Sequence, residues 1–560
     1  MLLMGGLAAA RKGEKWGCID TEGNTVIAFE YDKIEYGEGT PAYIPGYPYL
    51  RIFLNGLAKV KIGGKWGFID RKGNEMTTFE YDKLYYFVYG SKSGSKSNEG
   101  LAWAIKDGKY GLLAHIPAPG TEHIYESSGP GEYFTLPADR LNTITGQASA
   151  ISVIMDVANT MTTEQKACAT GIDRITLFAE EAAAQAASKA VTGSKIIINE
   201  ESIRDLESIA ASIRTEAENA LASAGITVAR KINVGVKFKA TEENSLTIIV
   251  EPSAINMIAD YVRVETQDYA ISLSAELIKT NVKDLPLVIT ITAIREDAGL
   301  PGTAVSSSKA CYIAFNKPLQ ENVKISLRPI SGDPDYQAIT RSDGKVTGGK
   351  YNPATGMLDV RIKDSGTYAV KENKKDFVDI QDKNIEVQKA IRILASKGII
   401  NGTSATTFSP DACITRAEIA ALIVRAISKL NPDEDGGFTD VSKNDWFYGA
   451  VGSAKKIGII KGTSATTFEP LMNITKDQVV AIAARTLRSE MKYNDPEDIG
   501  KYLGMYADRS GLPGWGLTDI ALAARENLVL KRADGKFLPS NTISRGDVAV
   551  IIYRMFKKIW

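Results

Sequence analysis

The sequence predicts a multidomain chain: N-terminal β repeats, a helical spacer, a β-sandwich-like module and a C-terminal all-α triplet. Three observations predict it. A Lys-Trp-Gly word recurs with a period of 50 residues near the N-terminus, at Trp16 and Trp66. Between about residues 130 and 372 the hydrophobic spacing changes from helical to alternating. In the last third a helix-start word, Ile414-Thr415-Arg416-Ala417-Glu418, returns as Ile474-Thr475-Lys476-Asp477-Gln478 and Ile543-Ser544-Arg545-Gly546-Asp547. At 560 residues the chain is far longer than a single core supports.

Composition narrows the function classes. Lys plus Arg and Asp plus Glu both number 67, so the net charge is zero. That argues against a nucleic-acid partner recruited by bulk charge, and any anion binding must be local. The four cysteines, Cys18, Cys168, Cys311 and Cys413, show no C-x-x-C spacing, which gives neither a zinc site nor a disulfide framework. With two histidines, His115 and His123, a multi-histidine metal centre is nearly excluded, and no cofactor is expected. No apolar run is long enough to span a membrane. Met1 to Ala10 is apolar but lacks a basic flank, so it reads as the front of a repeat rather than an export signal. The expectation is an N-terminal fragment or a start at a mis-assigned methionine.

Residues 1–125 carry the first repeat family. Lys15-Trp16-Gly17-Cys18-Ile19-Asp20, Glu22-Gly23-Asn24 and Phe29-Glu30-Tyr31-Asp32-Lys33 return as Lys65-Trp66-Gly67-Phe68-Ile69-Asp70, Lys72-Gly73-Asn74 and Phe79-Glu80-Tyr81-Asp82-Lys83. Lys109-Tyr110-Gly111-Leu112-Leu113 is an eroded third copy. Turn signals at Asp20 to Gly23 and Asp70 to Gly73 make each copy a hairpin. Units of this period bury their faces against neighbours. The words resemble the WG, or KWG, repeat family, which implies β architecture and binding rather than chemistry. For Trp16 and Trp66 the plain reading is core packing, and the alternative is carbohydrate stacking.

Residues 126–225 read as the helical spacer. Thr176 to Val191 has helical spacing, and Asn199 caps a helix with the stripe Ile203, Leu206, Ala210, Ile213, Ala217 and Ala220. Gly225 stops it. Glu180 and Glu181 read as a solvated face. Residues 226–372 read as one or two β-sandwich-like modules, with strands at Val234 to Phe238, Leu246 to Val250, Tyr261 to Glu265, Leu287 to Thr292, Tyr312 to Phe315 and Val323 to Leu327. Turns are expected at Asp297-Ala298-Gly299 and Asn352-Pro353. The words Gly349-Lys350-Tyr351-Asn352-Pro353 and Ser365-Gly366-Thr367-Tyr368 resemble a β module that often precedes C-terminal repeats in cell-surface proteins.

The triplet carries the site argument. Thr415 with Glu418 has capping-box spacing, Thr475 with Gln478 repeats it, and Ser544 with Asp547 is a weaker version. Arg416, Lys476 and Arg545 each put a cation in the first helical turn, where the macrodipole favours an anion. A helix start with free N–H groups and a cation beside it is an anion site, and the alternative is a structural salt bridge. Each unit runs through an F-x-D-type word, a helix, a Gly-containing loop, an F-x-P word and the helix start. Such two-helix units must share a core.

These words, in this order, closely resemble the S-layer homology (SLH) domain in triplicate, at residues 373–433, 434–500 and 501–560. The resemblance implies a three-pronged pseudo-trimer whose grooves bind secondary cell-wall polysaccharide through a pyruvate ketal. It assigns the ketal carboxylate to Arg416, Lys476 and Arg545. It places Trp446, Trp515, Gly402, Thr403, Gly462 and Thr463 in the glycan grooves. The chain departs from the pattern at Ile385, where a tryptophan is expected, at Lys476 in place of an arginine, and at Lys531-Arg532-Ala533 in place of the Gly-Thr word.

The expected function is non-enzymatic anchoring to the cell wall or S-layer of a Gram-positive-type bacterium, outside the cell. The N-terminal repeats would be displayed toward an unidentified protein or glycan ligand, with no nucleic acid and no membrane span. The alternative is a wall-anchored glycan hydrolase with its active site in 1–372. That chemistry needs two carboxylates facing one cleft, and no motif pairs them.

Overall fold

The computed structural model describes residues 8–19, 25–35, 57–70, 81–84, 102–106, 109–113, 137–241, 244–294, 310–530, 532 and 534–559. The chain divides into two compact bodies, 1–127 and 128–560.

The first body is built from three-stranded antiparallel sheets. β1 (Ala8–Lys12) pairs with β2 (Lys15–Ile19), and β2 with β3 (Thr25–Tyr31). β4 (Lys33–Glu35), β5 (Leu57–Ile62) and β6 (Lys65–Asp70) form the second sheet. β7 (Lys83–Leu84), β8 (Ala102–Lys106) and β9 (Lys109–Leu113) form the third. Among the described residues, tight turns join β1 to β2 and β5 to β6. Gly63 and Gly64, at φ 57° and 83°, close the β5–β6 hairpin, as two-residue loops of this hand require. The signals expected at Asp20 to Gly23 and beyond Asp70 lie outside the described residues, as do His115 and His123. Lys15 pairs with Asp32 at 2.6 Å and Lys65 with Asp82 at 2.5 Å, the same tie in consecutive repeats. Trp16 packs against a core of Cys18, Ile27, Tyr31, Ile34, Ala58, Val60 and Ile69. The ring of Trp66 instead lies under the ammonium groups of Lys59, Lys61 and Lys33, at 4.6, 5.5 and 5.6 Å.

The second body opens with α1 (Gln147–Thr160), α2 (Thr163–Ala167) and α3 (Ala169–Ala186). The helix expected over Thr176 to Val191 ends at Ala186, because Ser188–Val191 is a strand, β10. β11 (Lys195–Ile198) and α4 (Glu200–Ser223) follow. Asn199 caps α4 by accepting the Ser202 N–H at 2.9 Å, and Gly225 stops it at φ 78°. Then come β12 (Val236–Ala240), β13 (Ser245–Val250), β14 (Tyr261–Glu265), β15 (Tyr269–Ser274), α5 (Ala275–Asn281), β16 (Leu287–Ile294), β17 (Ala310–Phe315) and β18 (Val323–Leu327). β19 (Gln337–Arg341), β20 (Val346–Gly348), β21 (Lys350–Asn352), β22 (Met357–Ile362) and β23 (Gly366–Glu372) complete the set.

These strands sort into two seven-stranded sheets, β10-β12-β14-β15-β18-β22-β21 and β11-β13-β16-β17-β23-β19-β20. One continuous core takes in α1, α3, α4 and both sheets. The helices of 126–225 therefore share a core with the strands, and β10 and β11 extend the sheets by parallel pairing with β12 and β13. The turn expected at Asp297 to Gly299 lies outside the described residues. Glu180 and Glu181 are not a solvated face. Glu180 holds Arg230 at 2.5 and 3.1 Å, and Glu181 pairs with Lys237, which is 1 % exposed. A buried charge persists only when paired in this way.

The C-terminal helices are α6 (Ile385–Ser396), α7 (Arg416–Ala426), α8 (Tyr448–Lys456), α9 (Lys476–Met491), α10 (Ile499–Leu503), α11 (Leu517–Arg525) and α12 (Arg545–Lys558). α7, α9 and α12 touch one another, while α6 packs on α12, α8 on α7 and α11 on α9. Their C-terminal ends meet the first sheet. Arg361 of β22 donates to Ile427 O at 3.3 Å and to Glu490 at 2.8 Å; Asn322 donates to Ser428 O at 2.8 Å. Lys350 of β21 donates to Lys557 O and Ile559 O at 2.7 and 2.5 Å. Cations at these carbonyl ends satisfy orphan acceptors and oppose the helix dipoles.

Candidate functional site: a ring of cations between helical units

Each unit clamps its own loop first. The acid of the F-x-D-type word accepts two successive amides of the F-x-P word. Asp379 takes Phe408 N and Ser409 N at 2.9 and 2.7 Å, Asp440 takes Phe468 N and Glu469 N at 2.9 and 2.7 Å, and Asp508 takes Phe537 N and Leu538 N at 2.7 and 2.8 Å. Ser409, Glu469 and Leu538 sit at φ 58°, 57° and 57°, in the left-handed region. Non-glycine residues rarely adopt it unless held. Partial burial raises the Asp379 and Asp440 carboxyls, but the amides prevail and hold both below the usual range. The clamped ring packs on the aromatic of the first word: Phe408 on Phe377 at 5.7 Å, Phe468 on Phe438 at 5.4 Å and Phe537 on Tyr506 at 5.1 Å.

The cation of one unit then lies on the ring of the next. Arg416 is 4.7 Å over Phe468, Lys476 is 5.0 Å over Phe537, and Arg545 is 4.7 Å over Phe408. Arg416 Nε donates to Phe468 O at 2.7 Å, Nη2 to Lys461 O at 3.0 Å and Nη1 to Gln478 Oε1 at 3.2 Å. Arg545 repeats this with Phe408 O, Asn401 O and Glu418 Oε1, at 3.2, 3.1 and 3.3 Å. An arginine has five N–H groups, so each keeps one spare on each terminal nitrogen. Among the described residues Lys476 Nζ has no hydrogen-bond acceptor; burial pushes it down to about 8, against the pull of Asp547, Asp508 and Asp534.

The expectation of free helix-end amides is overturned. Arg416 N and Ala417 N donate to Met472 O and Pro470 O at 3.0 and 2.9 Å. Lys476 N and Asp477 N donate to Asn541 O and Pro539 O at 2.9 and 3.1 Å, and Arg545 N and Gly546 N to Ala412 O and Pro410 O at 2.8 Å each. The neighbouring unit consumes these donors, so a ligand anion would have only the side-chain cations to meet. The capping box at Thr415–Glu418 is present. At Thr475 it is not: the hydroxyl turns to Asp477, and Gln478 is taken by Arg416. Ser544 accepts Asp547 N at 3.1 Å.

The remaining expected residues divide. A Cβ on Gly402 would come within 2.4 Å of Ser404 O, and one on Gly462 within 2.4 Å of Ser464 O. Both glycines are required by their own loops. Thr403 lies in an exposed hydroxyl cluster with Thr407 and Ser409, at 3.2 and 2.9 Å, and Thr463 faces Thr467 at 3.2 Å. Trp446 and Trp515 are 62 % and 57 % exposed, which excludes core packing. The clamping acids were not singled out from sequence, and the residues three past each cap were read as caps, not as partners of the neighbouring cation. The signal was present, since the acid precedes the F-x-P phenylalanine by 29, 28 and 29 residues.

The fold and this ring define a modular chain: strand repeats, a helix-covered pair of sheets, and three helical units each lending a cation to the next. Residues 377–420, 437–480 and 506–549 match the S-layer homology domain family, and 16–39, 44–66 and 66–93 match the WG containing repeat family. The chain thus carries three S-layer homology domains behind N-terminal WG repeats. It is 28 % identical over 284 residues to an amylopullulanase of Thermoanaerobacterium thermosulfurigenes, half of this chain and 14 % of that protein. It is 28 % identical over 175 residues to a surface-layer 125 kDa protein of Lysinibacillus sphaericus, 31 % and 14 % of the two chains. It is 33 % identical over 112 residues to a surface layer protein of Brevibacillus choshinensis, 19 % and 10 %. The chain spans about a seventh or less of the length of these curated relatives. Among the described residues no helix is long and apolar enough to cross a membrane.

Proposed function

We propose that this protein is held non-covalently on a bacterial cell wall by its C-terminal triplet. The triplet would bind secondary cell-wall polysaccharide as a three-pronged pseudo-trimer of units 373–433, 434–500 and 501–560. The observation that carries the reading is the repeated site in which a cation, buried at Arg416 and partly buried at Lys476 and Arg545, lies on a clamped aromatic ring with spare donors. A pyruvate ketal offers one carboxylate of matching charge. Exposed Trp446 and Trp515 and the hydroxyls of Thr403 and Thr463 suit a sugar's apolar face and its hydroxyl rim. Several weak grooves on one scaffold give avidity. The cations stand at the N-terminal ends of α7, α9 and α12, and the sheets meet the C-terminal ends. With 11, 16 and 14 residues at 1.5 Å each, these helices are about 16–24 Å long, so the grooves are turned away from the sheets.

The reading is of an anchor rather than an enzyme, located at the cell surface of a Gram-positive-type bacterium. Relatives named as hydrolases align over a small part of their length, 14 % and 16 % for the amylopullulanase and an exoglucanase of Acetivibrio thermocellus. The N-terminal repeats are the part offered to an outside ligand. The test is co-sedimentation of the full chain with purified cell walls, native against ketal-stripped, alongside Arg416→Ala and Lys476→Ala. Retention should fall on stripping and with either substitution. Equal retention on both walls would refute the carboxylate site.

A further inference from the structure

The three cations do not meet the same residue three positions past the neighbouring helix cap. Arg416 meets Gln478, a neutral amide, while Arg545 meets Glu418, an acid, at nearly the same distance of 3.2 against 3.3 Å. The ring at 4.7 Å and the two loop carbonyls repeat at both sites, while the clamped loop residue is Glu469 beside Arg416 and Ser409 beside Arg545. In the third site Lys476 faces Asp547 at the matching position, with Asp508, Asp534 and Arg532 around it.

The other acids near Arg416 are Asp440 and Glu469. Asp440 is engaged by two amides, and Glu469 is exposed. No carboxylate of the described residues pairs with Arg416 within 4.0 Å, whereas Arg545 and Glu418 form an ion pair. Arg416 thus keeps its charge and its spare N–H groups for a ligand, and Arg545 is already neutralised.

We propose that Gln478 leaves the groove between the first and second units open as a carboxylate receptor, and that Glu418 closes the equivalent groove at Arg545 to anions. This rests on the wall-anchoring reading and names which groove serves it. An anion at Arg416 need not displace an acid, while one at Arg545 must compete with Glu418 and approach a like charge.

The full chain is tested for binding to native and ketal-stripped walls, with thermal unfolding recorded for each variant. Gln478→Glu should weaken ketal-dependent binding about tenfold or more, ~1.4 kcal/mol per decade, with an unchanged or higher melting temperature because it adds an ion pair to Arg416. In an Arg416→Ala background, Glu418→Gln should restore ketal-dependent binding through Arg545. The single carbonyl oxygen of the new side chain turns to Arg545, as that of Gln478 turns to Arg416 at a helix start that folds without a capping box, so this double variant folds if Arg416→Ala does. A Gln478→Glu protein that keeps its ketal-dependent binding, or a double variant no better than Arg416→Ala, overturns the proposal. A wild-type protein indifferent to the ketal instead brings down the anchoring reading on which it stands.

Discussion

Replacing Arg361 with alanine should destabilise the sheets and the helical triplet together. Arg361 joins β22 to Glu490, which is 2 % exposed in its side chain and has Lys429 as its second partner at 2.8 Å. Breaking a buried pair by removing one partner costs about 3–5 kcal/mol. Lys429 remains as a partner, which brings the loss below that range to about 2 kcal/mol, and the lost bond to Ile427 O adds about 1 kcal/mol. The body of roughly 430 residues unfolds with an entropy near 2.1 cal/mol/K per residue, or about 0.9 kcal/mol/K, so ~3 kcal/mol lowers its melting temperature by about 3 °C. The sign with pH follows from Glu490. Burial raises its carboxyl, but Arg361 and Lys429 prevail and hold it below the ordinary 4.5. The stabilisation is thus complete above 4.5 and is lost as pH falls through the lower folded value. Calorimetry of the full chain should show one endotherm for 128–560 that moves as a whole, with the shift shrinking in acid. A separate triplet peak that Arg361→Ala leaves in place would refute the coupling.

Three further outcomes are expected. Gly402→Ala forces a Cβ to within 2.4–2.6 Å of two carbonyl oxygens and the Phe377 ring; it should cost about 1–3 kcal/mol and lower both melting temperature and wall retention. Trp446→Ala and Trp515→Ala remove exposed side chains, so stability should stay within about 0.5 kcal/mol while sedimentation with native walls falls. Burial pushes Lys350 down to about 7, with Asp359 and Asp173 opposing the shift and Arg230 and Lys324 adding to it. Between about 7 and 10.5 the unfolded chain then binds more protons, so this residue makes stability rise with pH. Lys350→Met should flatten that rise in melting temperature, in part only, because Lys397 and Lys476, both pushed to about 8, act with the same sign.

What the sequence made legible was local or repeated. Alternation located β14 and β18 at their full extent, the Asn199 cap set the start of α4, and Thr415–Glu418 formed its box. Long-range pairing was not legible. Ser188 to Val191 continues an alanine-rich helical pattern, yet parallel pairing with β12 draws it into a sheet. Glu180 and Glu181 look solvated until Arg230 and Lys237, some fifty residues on, are folded against them. The cations at the helix starts were visible, but the loss of the amides beside them was not. The carbonyls that take those amides come from another unit, and spacing within one unit carries no trace of them.

That loss has a consequence for how the three sites diverge. The joints between units are made by backbone groups: two amides at each helix start donate to two loop carbonyls of the neighbour, three times over. Backbone bonds make no demand on the side chains at those positions. Arg, Lys and Arg can therefore stand at the first helical position, and Gln, Asp and Glu can stand opposite them, without opening the ring. The clamping acids have no such freedom. Asp379, Asp440 and Asp508 each hold a left-handed residue that would otherwise be strained, and none of the three varies. A scaffold closed by backbone and acid clamps leaves the two facing side chains at each joint free to differ, so a neutral Gln478 can stand opposite Arg416 without altering the fold.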